Sequence, residues 1–319
     1  MVYAILLGLG LFLAQDVAVK KMSILLTGGS GFIGRHFCYS AVAQGAQVTV
    51  LTRDLAVAAR VLPREVRLHE NLVDICDEEK FDVVLNLAGE PLGNNRWTTA
   101  RKKLFLDSRV RVTEKLLTFF DRRESRPKLV ISGSAVGYYG HNSALLDEAS
   151  SAANGFSHQL CRSWEDIALG FESLGSRLCF LRTGIVLGES GALARMLPAF
   201  RMGLGGPIGD GEQYMSWIHR NDMISLIYHC IKDKSISGPV NATAPNPVTN
   251  REFAGMLGAA LRRPAVLRMP SMMARALFGE MAEELLLNGQ RALPRVALES
   301  GFVFQFPDLK SALVDLVEP

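Results

Sequence analysis

Gly28, Gly31 and Gly34 stand three residues apart, directly after the apolar run Ile24-Leu25-Leu26-Thr27. A strand that breaks into such a turn and then into a helix leaves free amides that can face a pyrophosphate. Gly28 lets the turn form, Gly31 lets the backbone approach the phosphates, and Gly34 lets the new helix sit close to the sheet. Phe32 and Ile33 are expected to anchor that helix against the sheet. With Thr27 and Ser30 they complete the candidate cofactor turn, and the second strand it needs follows at Gln47 to Arg53. Glycine trios also serve ordinary turns, so the flanking strand pattern carries the dinucleotide reading.

The end of the second strand bears on which dinucleotide binds. A site for the unphosphorylated ribose usually ends this strand with an acid that holds its hydroxyls. Thr52 and Arg53 occupy the corner instead. A guanidinium presents a fork of donors to a phosphate, so Arg53 favours NADP(H). Asp54 follows at once, and a small backbone shift would bring it to the ribose.

Other expected strand ends are small or polar. Leu87, Ala88 and Gly89 follow Asn86 and keep the backbone open to the adenosine or nicotinamide riboside. Ser132 and Ser134 are placed to orient the nicotinamide amide or a substrate oxygen. Arg182 either brings charge to the cleft rim or forms a structural ion pair, and both readings stay open. The six histidines show no tight metal-ligand spacing, so no metal is implied.

These residues need a scaffold that gathers strand ends on one side. Helices are expected over Phe32–Gln44, Thr98–Arg123 and Phe156–Glu172, alternating with strands at 83–89, 128–134 and 176–182. Strands alternating with helices give an α/β, Rossmann-like doubly wound parallel sheet whose crevice lies outside the strands' carboxyl ends. The rhythm changes after Gly184, where Gly203, Gly205, Gly206, Pro207, Gly209 and Gly211 exclude a regular element. Asn250–Leu261 and Ser271–Asn288 are further helix candidates, limited by Pro264, Pro270 and Pro294. The chain thus divides into 22–184, mainly the nucleotide-binding domain, and 185–246, a mixture of substrate lobe and returning sheet elements. Residues 247–319 form a smaller C-terminal substrate lobe.

Composition excludes several classes. A net charge of +3 with only the short runs Arg101-Lys102-Lys103 and Arg122-Arg123 does not describe a nucleic-acid groove. Cys38, Cys76, Cys161, Cys179 and Cys230 are too scattered for a disulfide framework and suit a cytoplasmic protein. Tyr3 to Ala14 is apolar but too short for an ordinary membrane span, and no positive residue precedes it. Either Met22 is the translation start and residues 1–21 are an upstream artefact, or that stretch is a weak membrane anchor. An N-terminal peptide mass from the native protein decides between them.

The chain resembles the extended short-chain dehydrogenase/reductases, and more narrowly the atypical epimerase-family proteins related to nucleoside-diphosphate-sugar epimerases. The likeness rests on Leu26 to Gly34, Asn86 to Pro91, Arg96-Trp97, Ser108-Arg109, Ser132 to Gly140 and Cys161 to Glu165. It continues through Leu181 to Leu187 and Trp217 to Asp222, and ends at Gly289 to Pro294 in the small C-terminal domain that accompanies this subgroup. Trp217 is expected to pack, and His219 and Asp222 to share a structural hydrogen bond.

The resemblance implies a hydride-transfer site built from a serine or threonine, a tyrosine, and a lysine four residues later. Ser134 falls at the serine position, Phe156 at the tyrosine position and Leu160 at the lysine position. Phenylalanine has no ionisable oxygen, and leucine cannot hold a ribose or lower a tyrosine pKa by its charge. Phe156 is therefore expected to pack. Candidate acids or bases in its place are Glu90, His158 and Tyr138, in that order. Tyr139 matches a structural tyrosine of many relatives, and Cys161 reads as a small buried residue.

Two functions follow. One is an NADP-dependent oxidoreductase or epimerase-like protein acting on a small polar or nucleotide-linked molecule. The other is a non-catalytic NADPH-binding regulatory or interaction protein. Neither requires nucleic acid or stable membrane insertion, and the oligomeric state stays open.

Overall fold

The computed structural model describes residues 22–317, so the expectations for residues 1–21 lie outside the described residues. Its centre is a seven-stranded parallel sheet. Five of its strands are β1 (Ser23–Thr27), β2 (Gln47–Leu51), β3 (Arg67–His69), β4 (Val83–Asn86) and β5 (Leu129–Ala135). β6 (Asn142–Leu146) lies apart, and β7 (Arg177–Thr183) and β11 (Gly238–Ala242) complete the sheet. Their order is β11-β7-β5-β4-β1-β2-β3. Alternation along each strand feeds two cores. Ile24 and Leu26 enter one, with Val83, Leu85, Leu129 and Ile131. Leu25, Val84 and Val130 enter the other. Burial on both faces is why the strands read as continuous apolar runs.

Helices cover both faces. α1 (Phe32–Ala43) follows the glycine turn, and α2 (Leu55–Val61) follows β2. α3 (Thr99–Asp121) precedes β5, and α4 (Phe156–Ala168) precedes β7. The helix expected to reach Glu172 breaks at Leu169 into α4 and the short α5 (Gly170–Ser173). The strand expected over 83–89 ends at Asn86, leaving Leu87 to Gly89 beyond its carboxyl end.

Beyond β7 the chain builds small paired strands. β8 (Ile185–Leu187) pairs in parallel with β10 (Trp217–His219), and β9 (Tyr214–Met215) pairs with β12 (Val248–Thr249). β13 (Gln290–Ala292) pairs with β6. α6 (Gly191–Arg201) ends before the glycine cluster, which is irregular backbone up to β9. α7 (Arg220–Lys232) returns the chain to β11, and α8 (Asn250–Ala260) carries a capping box from Thr249 and Glu252. The single helix expected over 271–288 is instead two, α9 (Ser271–Phe278) and α10 (Glu280–Leu285), divided by Gly279. Gly279 has a φ of 61°, a left-handed conformation that glycine adopts without strain and that ends the first helix. α11 (Arg295–Glu299) and α12 (Leu309–Val317) close the described chain.

The Trp217 segment holds one surprise. Trp217 is fully buried and donates its indole N–H to Asn246 O at 3.0 Å. His219 and Asp222 do not bond to each other. His219 Nδ1 accepts from the Asn221 amide, whereas Asp222 accepts the amides of Gln305 and Phe306 and pins the last segment down. Burial holds His219 down to about 4, with Asp315 opposing at 3.2 Å. The unfolded chain protonates near 6.5, so protonation favours unfolding across that window. We expect stability to fall as the pH drops from about 6.5 to 4, by at most about 3 kcal/mol. Burial raises Asp222, which works in the opposite direction. Comparing thermal midpoints with His219→Gln isolates the histidine. A parallel pH dependence in the two proteins would refute its role.

Candidate functional site

The glycine turn is sterically enforced. Gly28 has a φ of 72°, and a Cβ there would lie 2.6 Å from the Leu87 carbonyl oxygen. A Cβ on Gly34 would meet Gly28 O at 2.3 Å, so α1 packs against the turn as well as the sheet. Gly31 is less crowded, with Gly28 O at 3.1 Å, and its amide closes the turn onto that carbonyl. It is also the N-cap of α1 and supplies no side-chain cap, and the helix has no acid in its first turn. Amides there remain available to an anion, and the helix dipole favours one.

Thr27 works beneath this surface. Its buried hydroxyl donates to Asn86 Oδ1 at 2.6 Å and accepts from the Ala88 amide at 3.2 Å. Asn86 Nδ2 in turn donates to Thr113 on α3. Thr27 therefore locks the ends of β1 and β4 together. Ile33 packs on the main core, but Phe32 does not turn toward the sheet. Its ring fills the space beside Gly188 and Gly191, where the β8–α6 connection crosses the turn.

Thr27, Gly28, Ser30, Gly31, Arg53, Leu87, Ala88 and Gly89 line one cleft of about 2130 Å³, which continues along α3. Phe32, Ile33 and Gly34 do not line it. Ser132 is fully buried and does not reach its wall. At the corner after β2, the Arg53 side chain is 83% exposed and lies 3.9 Å from Glu90 Oε2. Asp54 is not available to a ribose in the same way. Its carboxylate caps α2, accepting from the Val57 amide at 2.9 Å.

The four candidate catalytic residues separate into two places. Glu90 stands near the phosphate corner, between Arg53 and Arg101, whose Nη1 is 3.4 Å away. Ser134, Tyr138 and His158 gather around Arg182. Ser134 donates its hydroxyl to Glu165 Oε1 at 2.6 Å. Arg182 grips both oxygens of Glu165, at 3.0 and 2.9 Å, and stacks beneath the Tyr138 ring at 3.5 Å. His158 Nδ1 donates to the Tyr138 carbonyl at 2.7 Å, which leaves Nε2 as the nitrogen free for another partner. The alternatives for Arg182 thus resolve to a buried ion pair. Burial opposes its charge, but the hydrogen bonds and charge of Glu165, helped by Tyr139, raise its pKa.

This network limits what Ser134 can do. An ionised carboxylate only accepts, so the serine proton is committed to Glu165 and the oxygen is left as an acceptor. Tyr139 is unsuited to proton transfer, because burial pushes it up to about 12 while it donates to Asn241 at 2.7 Å. At the position of the missing tyrosine, Phe156 packs at 5.2 Å from Trp97, centroid to centroid. Leu160 is buried with Trp97, Phe105 and Met281. The C-terminal lobe fastens this helix. Glu284 accepts from the Phe156 and Ser157 amides at 3.2 Å and from Ser157 Oγ at 2.6 Å. Gly155, the N-cap, has no side chain to supply that acceptor.

Two residues escaped functional reading in the sequence. Glu165 lies four residues after buried Cys161, a spacing that places it on the inner face of α4. Arg109 donates to the Glu90 carbonyl and to Phe105 O, and burial lowers its pKa to about 10. A Cβ on Gly89 would meet its Cζ at 2.8 Å, so this arginine alone requires Gly89 to be small. Among the described residues, no cluster of three or more potential metal ligands occurs. No helix there is long and apolar enough to cross a membrane.

The model of the NAD dependent epimerase/dehydratase family matches residues 24–242, and that of a domain of unknown function, DUF1731, matches 269–316. The chloroplastic homologue of epimerase family protein SDR39U1 from Arabidopsis thaliana is 39% identical over 92% of this chain and 86% of its own length. Epimerase family protein YfhF of Bacillus subtilis is 34% identical, covering 93% of this chain and 98% of the relative. The crystal structure of human epimerase family protein SDR39U1 with NADPH superposes with a TM-score of 0.83 at 33% identity, covering 93% and 99% of the two chains. UDP-glucuronic acid 4-epimerase from Bacillus cereus, solved with UDP-glucuronic acid and NAD, shares the fold at a TM-score of 0.73 and 17% identity, over 92% and 96%.

Proposed function

The chain belongs to the NAD dependent epimerase/dehydratase family, and we propose that it binds NADP(H) and acts as an oxidoreductase or epimerase-like protein in the cytoplasm. Its substrate is a small polar or nucleotide-linked molecule. One observation carries the cofactor reading: Arg53 is exposed beside the glycine turn, while Asp54 is occupied as a helix cap. The human relative crystallised with NADPH supports it. In this reading residues 22–184 hold the cofactor, 185–246 share the sheet and the substrate lobe, and 247–319 close the site. The turn residues and Leu87 to Gly89 carry the pyrophosphate and riboside. Ser134 accepts a substrate hydrogen bond, and His158, Tyr138 and Glu90 are the remaining groups for proton transfer.

Calorimetry of NADPH and NADH binding tests this. Arg53→Ala is expected to weaken NADPH roughly 5- to 150-fold, about 1–3 kcal/mol for a charge-assisted phosphate contact. NADH binding should barely change. Gly31→Val should weaken both, because side-chain volume intrudes on the phosphates. Equal losses for the two cofactors in Arg53→Ala would sink the discrimination, and saturable binding of neither would sink the whole reading.

A second reading rests on the same network. With Phe156 and Leu160 apolar and the Ser134 proton held by Glu165, bound NADPH instead stabilises a surface for a protein partner. Turnover of NADPH with a defined metabolite, reduced in Ser134→Ala, favours the enzyme. A partner whose affinity rises with cofactor favours the second reading.

A further inference from the structure

Two adjoining stretches, one after α6 and one after α8, carry exposed apolar side chains among arginines. Met202 and Leu204 extend from the end of α6, Val266 and Leu267 from the turn after α8, and Met272 and Met273 from α9. Val266 is 76% exposed and Met272 80%, so these side chains project outward and do not line a groove. The segments form one surface. Leu267 N donates to Gly205 O at 3.2 Å, Met269 N donates to Pro207 O at 2.9 Å, and a Cβ on Gly203 would rest on Pro264. Residues 195–209 and 253–279 contain Arg195, Arg201, Arg262, Arg263, Arg268 and Arg275, and no aspartate or glutamate. Of these, Arg201, Arg262 and Arg263 are exposed and make no salt bridge among the described residues. Acids border these stretches: the Asp210 carboxylate accepts the Glu212 amide, Glu252 accepts the Thr249 amide, and Glu280 pairs with Lys102, while Glu212 pairs with Arg251 and Glu283 with Arg275.

We propose that this surface docks on an anionic lipid bilayer. Aliphatic tips enter the headgroup boundary, and the surrounding guanidinium groups pair with lipid phosphates and carboxylates. That combination of projecting apolar residues and unpaired arginines is what interfacial association requires, and it needs no spanning helix. A water-facing surface gains nothing from 80% exposure of methionine, and a groove-binding peptide would need a concavity that projecting side chains do not make. The inference is independent of the cofactor and of any turnover.

Cosedimentation of the full chain tests it, using phosphatidylcholine vesicles with and without about 30% phosphatidylserine. Binding should require phosphatidylserine and weaken at high salt. Val266→Asp with Met272→Asp, and separately Arg201→Glu with Arg263→Glu, should each lower the partition coefficient at least about tenfold. Arg64→Glu, on the exposed turn before β3, should not. NADPH affinity and thermal midpoint, unchanged in all variants, show that the fold survives. Binding that is absent, indifferent to phosphatidylserine, or unaltered by the patch variants overturns the proposal. So does a dimer in analytical ultracentrifugation that Val266→Asp with Met272→Asp dissociates, because the surface would then belong to a second copy.

Discussion

Replacing Glu165 with alanine is expected to cost about 3–5 kcal/mol of stability, the range for stripping one partner from a buried ion pair. Arg182 would keep its charge at 4% exposure with only Tyr139 and the Glu148 carbonyl as polar neighbours. Ser134 would lose its acceptor as well. For a chain of this size the thermal midpoint should drop by roughly 10 °C. The double variant Glu165→Met with Arg182→Met should recover much of the loss, since removing both charges leaves nothing uncompensated. A loss below about 1 kcal/mol in Glu165→Ala would show that solvent reaches the arginine and that the pair is not structural.

The same pair bears on catalysis. In the wild-type chain Ser134 offers a substrate only lone pairs. Removing Glu165 frees the hydroxyl to donate, but it also loosens Arg182 from beneath Tyr138. Ser134→Ala keeps the ion pair and removes the acceptor, so the two variants separate a positioning effect from a direct contact.

Much of this arrangement was legible in the residue order. The glycine turn announces itself because its three glycines are local, and Gly28 and Gly34 are required by contacts a few residues away or at the adjoining strand end. The sheet is legible because burial on both faces forces continuous apolar runs. The limits are equally physical. A helix period carried on through Gly279, but the left-handed turn there is invisible to a hydrophobic pattern. Phe32 looked like a sheet anchor because its partner glycines, Gly188 and Gly191, are more than 150 residues distant. His219 and Asp222 lie three apart on the page, yet one serves the start of α7 and the other captures a segment 83 residues on. Glu165 could be placed on a buried face by periodicity, but its partner Arg182 comes from a strand that only the fold brings near. In each case the local half of an interaction was readable and the distant half was not.

Introducing the family's lysine shows how firmly the chain has left that chemistry. Leu160→Lys is expected to cost more than about 3 kcal/mol, because an ammonium would enter the cluster of Trp97, Phe105 and Met281 without a counter-charge. The charges at hand already have partners, Glu284 among them at the Phe156 and Ser157 amides. Lys102 stands 5.2 Å from the Phe156 ring and already pairs with Glu280, and Arg101 stands 5.1 Å from the Phe105 ring. Phe156→Tyr, by contrast, adds a hydroxyl to a partly exposed ring and should change stability by less than about 1 kcal/mol. The introduced lysine would bind its proton less readily in the folded state than in the unfolded one. Stability should therefore rise with pH toward about 10 as the unfolded chain loses the same proton. Urea unfolding at neutral and alkaline pH reads both effects. A small, pH-independent loss would mean that the lysine escapes to solvent, and the apolar plug would then be no barrier to rebuilding the tyrosine–lysine pair. A large loss relieved at alkaline pH would locate the change in the core: the tyrosine position is open to substitution, and the lysine position has been given over to packing.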